Sequence, residues 1–389
     1  MYKIATLNKI SPVGLKRLTD EYTITENIDE ANGILVRSAA MHDMKFSKEL
    51  LAIGRAGAGV NNIPVDRCAQ EGIVVFNTPG ANANAVKELV LAGLFLGARN
   101  IPEGIDWAKT LKGTEGVGKA VEKGKGQFAG TEIMGKTLGV IGLGAIGVMV
   151  ANAAQRLGMD VIGYDPYISV KAAHSLTNKA KIVYDLEDLY SECDFITIHV
   201  PATDKTNKMI NAEAFSQMKD GVIFLNYSRD KLIDDDALEA ALASGKVAKY
   251  ITDFTDDRVI NFDNVIVIPH LGASTQEAED NCAGMAAHQI MDYIEKGNII
   301  NSVNYPACYM GELNPDAKAR VVILHLNIPT MLSKITGIMS DLHINIRDLL
   351  NKSKGDFAVT IMDIDDEISM DAVQYALGMP GIIKIRIIK

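Results

Sequence analysis

Between Lys136 and Gly147, in KTLGVIGLGAIG, a short apolar run (Leu138 to Ile141) passes directly into Gly142-Leu143-Gly144-Ala145-Ile146-Gly147. A strand that turns straight into a helix needs one glycine for its dihedrals and a second where the backbone approaches a pyrophosphate. A third lets the helix pack close to the strand. The helix that starts there offers free N–H groups and the positive end of its dipole to an anion. The context agrees: the helical run AIGVMVANAAQRLG stops at Gly158, and a second strand, MDVIGYD, ends on Asp165, 21 residues past Gly144. A carboxylate at that distance can accept from both hydroxyls of an adenine ribose. Pro166 and Tyr167 follow, with no Arg or Lys to receive a 2′-phosphate, so the expected ligand is NAD in preference to NADP. The competing reading is a glycine-rich βα turn that binds nothing.

The 389 residues suffice for two or three domains, each with its own core. The four cysteines, Cys68, Cys193, Cys282 and Cys308, are far apart and form no metal-type pair; buried free thiols in a reducing, cytoplasmic setting are expected, and no metal site. No apolar run reaches membrane length, and MYKIATLNKI begins as a strand rather than a signal peptide. A net charge of −10 argues against nucleic acid or an anionic membrane as partner. An anionic substrate must then be held by local arginines.

The pattern predicts an α/β chain in three parts. Residues 1–81 alternate strands (YKIAT, then 34–38, 52–57 and 73–77) with helical patterns at Ser47 to Leu51 and Val65 to Gln70, which implies a doubly wound parallel sheet. Residues 82–272 open with the helix AVKELVLAGLFLGARN and hold the glycine turn, followed by apolar strands at 194–200, 221–228, 248–254 and 264–270. Leu111 to Gly135 reads as an exposed insertion. A helix over 276–296 is expected to return the chain to the first domain, so that 273–311 complete it, with 301–316 as linker. The last part, 315–389, reads strand, helix, strand, strand, helix, strand, the ferredoxin-like βαββαβ plan.

Hydride transfer from a hydroxy acid needs a carboxylate anchor, a base and a dinucleotide held against the reacting carbon. Arg229 follows the strand that ends at Asn226, and so projects from a strand's carboxyl edge, where open α/β sheets bind ligands. Its guanidinium can pair with a carboxylate and polarise the neighbouring oxygen. His270 closes NVIVIPH and begins a glycine-rich loop. Imidazole accepts and returns protons near neutrality. Of seven histidines, His42, His174, His288 and His343 read as surface or packing residues, and His199, at the end of ITIHV, is the main competitor. Arg37 and Arg55 each end a predicted strand and point toward one cleft edge; salt bridges to neighbouring helices are the alternative for both.

Beside VIGLGAIG stand RAGAGVNNI (55–63), NYSRD (226–230) and PHLGAST (269–275); together these closely resemble the D-2-hydroxyacid dehydrogenases. The resemblance covers essentially the whole chain and implies a flavodoxin-like substrate domain, a Rossmann cofactor domain and NAD chemistry on a 2-hydroxy acid. It also implies Arg229 and His270 as catalytic residues, Pro201 and Asp253 as cofactor contacts (Asp253 to the nicotinamide carboxamide), and Asn82 as a substrate contact. Arg37 and Arg55 match positions that bind the substrate phosphate or carboxylate in members acting on 3-phosphoglycerate, at the entry to serine synthesis. The alternatives are a glyoxylate or hydroxypyruvate reductase and an NAD-sensing binding protein. Two departures stand out. Where the family has a Glu that holds the imidazole, this chain reads Asp253-Phe254-Thr255-Asp256-Asp257-Arg258, so Asp257 is the candidate partner of His270, with another carboxylate or none as alternatives. Asp230 replaces the usual Gly after the Arg. HLNIPTMLSKI and INI in the tail resemble the ACT regulatory module, which implies pairing with a second copy, in a homodimer or homotetramer, and serine-type contacts at His325, Asn327 and Asn345. Thr330 stands where that module has Gly. A β-branched residue resists the dihedrals that Gly permits, so a reshaped loop and weak or absent serine inhibition are expected.

Overall fold

The computed structural model describes residues 1–389, the side chain of Met370 excepted. The chain forms two compact units, Met1–Ala81 with Gln276–Lys389, and Asn82–Thr275. Among the described residues, no helix is long and apolar enough to cross a membrane.

In the first unit β1 (Tyr2–Leu7), β2 (Tyr22–Thr25), β3 (Gly33–Val36), β4 (Ala52–Arg55) and β5 (Val74–Phe76) form a parallel sheet in the order β2-β1-β3-β4-β5. This is the flavodoxin-like order. Helix Gln276–Lys296 lies on this sheet. It approaches closely at Gly54, where a Cβ would stand 2.9 Å from Ile290 Cδ1 and 3.2 Å from the Ala286 carbonyl. Three readings of this part are corrected. β2 was not foreseen. Ser47 to Leu51 makes no helix: the Ser47 hydroxyl accepts from the Glu49 N–H, and the segment is a turn. Residues 301–316 are no loose linker. Val303 N–H donates to the Val75 carbonyl, Val75 N–H to Asn304 Oδ1 at 2.9 Å, and the fully buried Tyr305 donates its hydroxyl to the Ala69 carbonyl at 2.6 Å.

The second unit is a seven-stranded parallel sheet made of β6 (Thr137–Ile141), β7 (Asp160–Tyr164), β8 (Lys181–Ile182), β9 (Phe195–Ile198), β10 (Val222–Asn226), β11 (Val247–Thr252) and β12 (Val265–Val267). Its order, β12-β11-β10-β9-β6-β7-β8, is that of doubly wound dinucleotide folds extended by one strand, and it reverses between β6 and β9. The insertion at 111–135 is largely exposed and partly helical, with helix Val117–Gly124 and a short turn Lys125–Phe128.

β13 (Ala319–Leu326), β14 (Ile346–Lys354), β15 (Phe357–Ile364) and β16 (Ile382–Ile388) form a separate antiparallel sheet in the order β14-β15-β13-β16, with helices Met331–Asp341 and Met370–Leu377. This is the βαββαβ plan read from the sequence. Val321, Ile323, Met362 and Ile364 pack with Ile335 and Ile338 of the first of those helices. Val322, Leu324, Val359 and Ile361, on the opposite face, share a core with Phe76, Ile290 and Tyr293. The tail thus shares a core with the first sheet instead of standing apart as a third compact unit.

Arg320 is the polar pin of that junction. It is fully buried and donates to both carboxylate oxygens of Asp363, at 2.6 and 2.9 Å, and to the carbonyls of Lys296, Gly311 and Glu312. Removing one partner of such a pair strands the other's charge. Arg320→Leu should therefore lower the unfolding free energy by about 3–5 kcal/mol in chemical denaturation, and the double variant Arg320→Leu/Asp363→Leu should recover part of that loss. Equal losses in both would show that the pair is not what matters there.

Candidate active site

The glycine turn lies at the sheet's reversal point. Gly142 has φ of +92° and donates its N–H to the Tyr164 carbonyl at 2.8 Å. A Cβ there would sit 2.6 Å from the His199 carbonyl oxygen, at the end of β9. A Cβ on the buried Gly147 would collide with the Gly142 carbonyl. Gly144 differs: φ is −75° and a Cβ would meet nothing within 4 Å. Gly144 and Ala145 are exposed, Ile146 is half-buried, and no side chain caps helix Ala145–Arg156, so its first N–H groups face open space. Asp165, after β7, accepts from Leu143 N–H through Oδ2 and from Tyr167 N–H through Oδ1, each at 2.8 Å, which fixes the carboxylate beside the turn. Pro201 is exposed in the segment after β9.

Arg229 and His270 are both exposed, and Phe254 joins them: the Phe254 ring centre lies 4.6 Å from that of His270 and 5.9 Å from the Arg229 guanidinium carbon. The sequence reading gave Phe254 no role; its place directly after Asp253, past the end of β11, is the signal that points to it. The backbone of His270 takes φ of +43°, a costly conformation for a non-glycine residue. It is held there because its N–H is shared between the carbonyls of Ile268 at 2.8 Å and Asp253 at 3.2 Å. Asp253 is 3% exposed. Its Oδ2 accepts from Gly272 N–H at 3.0 Å, while Oδ1 is buried and has no hydrogen-bond partner among the described residues. Burial pushes this carboxyl up, against the Gly272 N–H and the positive charges of His270 and Arg229.

His199 is unsuited to acid–base work. Burial pulls its imidazole down to about 3, so it stays neutral, bonded to Thr197 Oγ1 through Nε2. Asp257 is not brought to His270. Asp256 accepts from the N–H groups of Arg258 and Val259, and Arg258 reaches Asp236 and Glu239, each at 2.6 Å. This folds the turn onto helix Asp235–Ala243, and the exposed Asp257 carboxylate has no partner among the described residues. Asp230 opens the short turn Asp230–Leu232 and is exposed.

In the first unit Val36 pairs with Arg55, so Arg37 and Arg55 leave the carboxyl ends of neighbouring strands. Arg37 pairs with Glu279 at 2.7 Å, the salt bridge weighed as its alternative role. Burial pushes the Cys282 thiol up, against a hydrogen bond with Thr78 and the positive charges of Arg55 and Arg37. Asn82 begins the second unit as the N-cap of helix Ala83–Arg99, with a side chain that makes no capping bond.

The three effector candidates are already bonded within the tail. His325, 2% exposed, contacts Thr360 Oγ1 and Asn351; Asn327 donates to the Gly355 carbonyl, and Asn345 to Asp365. His325 pairs with Ala358, whereas Ile346 pairs with Ile364, opposite Ala319. Asn345 therefore lies at the far end of the sheet, about 20 Å from His325 at the usual rise per residue. Thr330 adopts φ of +71°, the left-handed backbone that a β-branched residue resists.

Residues 91–272 match the D-isomer specific 2-hydroxyacid dehydrogenase NAD binding domain. A D-3-phosphoglycerate dehydrogenase of Methanocaldococcus jannaschii is 36% identical over 324 residues, which cover 80% of this chain and 60% of that protein. D-3-phosphoglycerate dehydrogenase 1 of Saccharomyces cerevisiae is 31% identical over 373 residues, 88% of this chain and 75% of the yeast protein. This chain thus spans only about 60% of the length of the archaeal relative. Among solved structures, a 3-phosphoglycerate dehydrogenase of Entamoeba histolytica with NAD+ bound superposes with a TM-score of 0.62 at 27% identity, over 78% of this chain and 98% of that one.

The glycines separate ligand approach from folding. Gly144→Ala should leave the unfolding free energy within about 1 kcal/mol of wild type, the usual cost scale of a Gly/Ala exchange, yet weaken NAD binding in calorimetry. Gly147→Ala, where the Cβ would collide with the Gly142 carbonyl, should cost about 3 kcal/mol or more in stability, the upper end of the overpacking range. Intact NAD affinity in Gly144→Ala would remove the turn from the binding site.

Proposed function

This chain belongs to the D-isomer specific 2-hydroxyacid dehydrogenases, and on that premise we propose that it oxidises 3-phospho-D-glycerate to 3-phosphohydroxypyruvate with NAD. The observation that carries the reading is the grouping of Arg229 and His270 around Phe254, next to the buried, unpaired Oδ1 of Asp253. Arg229 pairs with the substrate carboxylate and polarises the C2 oxygen. His270 takes the C2 hydroxyl proton and returns it in the reverse reaction. NAD, when bound, accepts the hydride from C2. With NAD bound, Asp253 Oδ1 would accept from the carboxamide, Asp165 from the ribose hydroxyls, and the N–H groups after Gly144 would hold the pyrophosphate; Pro201 is assigned to the cofactor by the family resemblance. Arg37 and Arg55 bind the phosphate, and Asn82 orients the substrate. His270 acts without a dedicated carboxylate partner. The unattached Asp257 favours, as a second reading, an NAD-sensing binding protein without turnover.

The tail is assigned to pairing with a second copy, through which His325 and Asn327 of one chain would approach Asn345 of the other. Their existing bonds within the chain favour weak serine inhibition or none.

Initial rates followed by NADH absorbance decide between the readings: 3-phosphoglycerate with NAD should be turned over, with NADP and unphosphorylated glycerate poor replacements. His270→Ala should lower kcat by about 10²–10⁴-fold with NAD affinity retained. Arg229→Ala should in addition raise KM, because the carboxylate is bound in ground and transition states alike. Asp257→Asn should leave the pH dependence of kcat/KM unchanged. NAD binding with no turnover of any 2-hydroxy acid would favour the sensor.

A further inference from the structure

We propose that a cavity between the 44–48 loop and the tail sheet is a binding site for a small organic anion with an apolar body, such as an aryl carboxylate. The cavity measures about 780 Å³ and lies within the first unit, between residues 44–48, the helix Val65–Gln70, and β16. That volume is in the range of small-molecule sites, which pair mostly apolar walls with a few polar groups. Here Met44, Phe46 and Ile383 give an apolar lining, and Lys45, Lys48 and Lys384 supply charge.

Glu71, the acid that lines the cavity, is already spoken for. It lies 3.7 Å from Arg67, whose guanidinium also donates to the carbonyls of His42 and Met44 and sits 4.7 Å from the centre of the Phe46 ring. Arg67 thus holds the cavity wall in shape, and its charge is offset. The three lysines are left without a carboxylate partner among the described residues. Lys384 is unusual among them because its amine is half-buried against the protein and donates to the Leu50 carbonyl at 2.8 Å. Burial, helped by Arg386 and opposed by the charges of Glu49 and Glu71, pulls this ammonium down to about 8. The half-buried Lys384 faces the cavity without an ion pair of its own, the exposed Lys45 and Lys48 line the same cavity, and an incoming anion would stabilise all three charges; in a chain of net charge −10 such a grouping is not a general surface property. The apolar walls on either side select against a bare inorganic ion.

The test uses the full-length protein carrying Arg229→Ala, which removes the carboxylate anchor of the other site, with phenylpyruvate titrated by calorimetry. Saturable binding is expected, weakened by about tenfold or more in Lys384→Met and by about threefold or more in the exposed double variant Lys45→Ala/Lys48→Ala. The double variant keeps the test valid where Lys384→Met fails to fold. Absence of saturable binding, or binding undiminished in the folded variants, overturns the site. Inorganic phosphate binding as tightly as phenylpyruvate overturns the requirement for an apolar body.

Discussion

The backbone of β6 can enter helix Ala145–Arg156 at so short a distance only because residues 142 and 147 carry no side chains. The Gly142 carbonyl occupies the space that a Cβ at 147 would need, and the His199 carbonyl borders the space that one at 142 would need. That tight turn places a helix N-terminus at the point where the sheet reverses between β6 and β9. The remaining site residues share that edge of the sheet. Parallel strands all end on the same edge, so Asp165 after β7, Arg229 after β10, Asp253 after β11 and His270 after β12 emerge along one rim.

At the far part of that rim the geometry is set by Asp253 and Phe254. The Asp253 main-chain carbonyl and side chain fasten the loop that carries His270, through the N–H groups of His270 and Gly272. The loop pays for this with the left-handed backbone of His270, and the adjacent Phe254 ring gives the imidazole and the Arg229 guanidinium a common platform. In the first unit a different interaction has the organising role. The buried Arg320–Asp363 pair, tied also to three carbonyls, joins the tail sheet to the end of helix Gln276–Lys296. Around it Val322, Leu324, Val359 and Ile361 extend the core of the first sheet.

Much of this was legible in the residues, for identifiable reasons. Strands covered on both faces read as apolar runs, and both parallel sheets and the βαββαβ tail could be traced that way. β2, with the half-exposed pattern of an edge strand, and the two-residue, exposed β8 carry no such run. Ser47 to Leu51 looked helical but is too short to offset helix nucleation, and a serine hydroxyl offers its backbone a turn instead. Residues 301–316 looked like a linker because their anchoring depends on single side chains, Asn304 and Tyr305, that satisfy groups far away in sequence. Arg229 and His270 were placed by their strand-end positions. That Asp257 makes no bond to His270 was not legible, because its turn is held by Arg258 being drawn to Asp236 and Glu239. Thr330 shows the limit of a steric rule applied to one residue: the helix entry imposes the left-handed backbone, at a cost of roughly 1–2 kcal/mol.

The proposed reaction requires the Arg229–Phe254–His270 edge to carry out hydride transfer rather than merely to bind a dinucleotide. The most direct measurement supplies the full-length protein with NAD+ and 3-phospho-D-glycerate deuterated at C2, and follows the label by NMR. Deuterium should appear at C4 of the nicotinamide ring, and the deuterated substrate should be turned over more slowly than the protiated one in single-turnover kinetics. NAD+ bound at saturation with all the deuterium still on C2 would contradict hydride transfer.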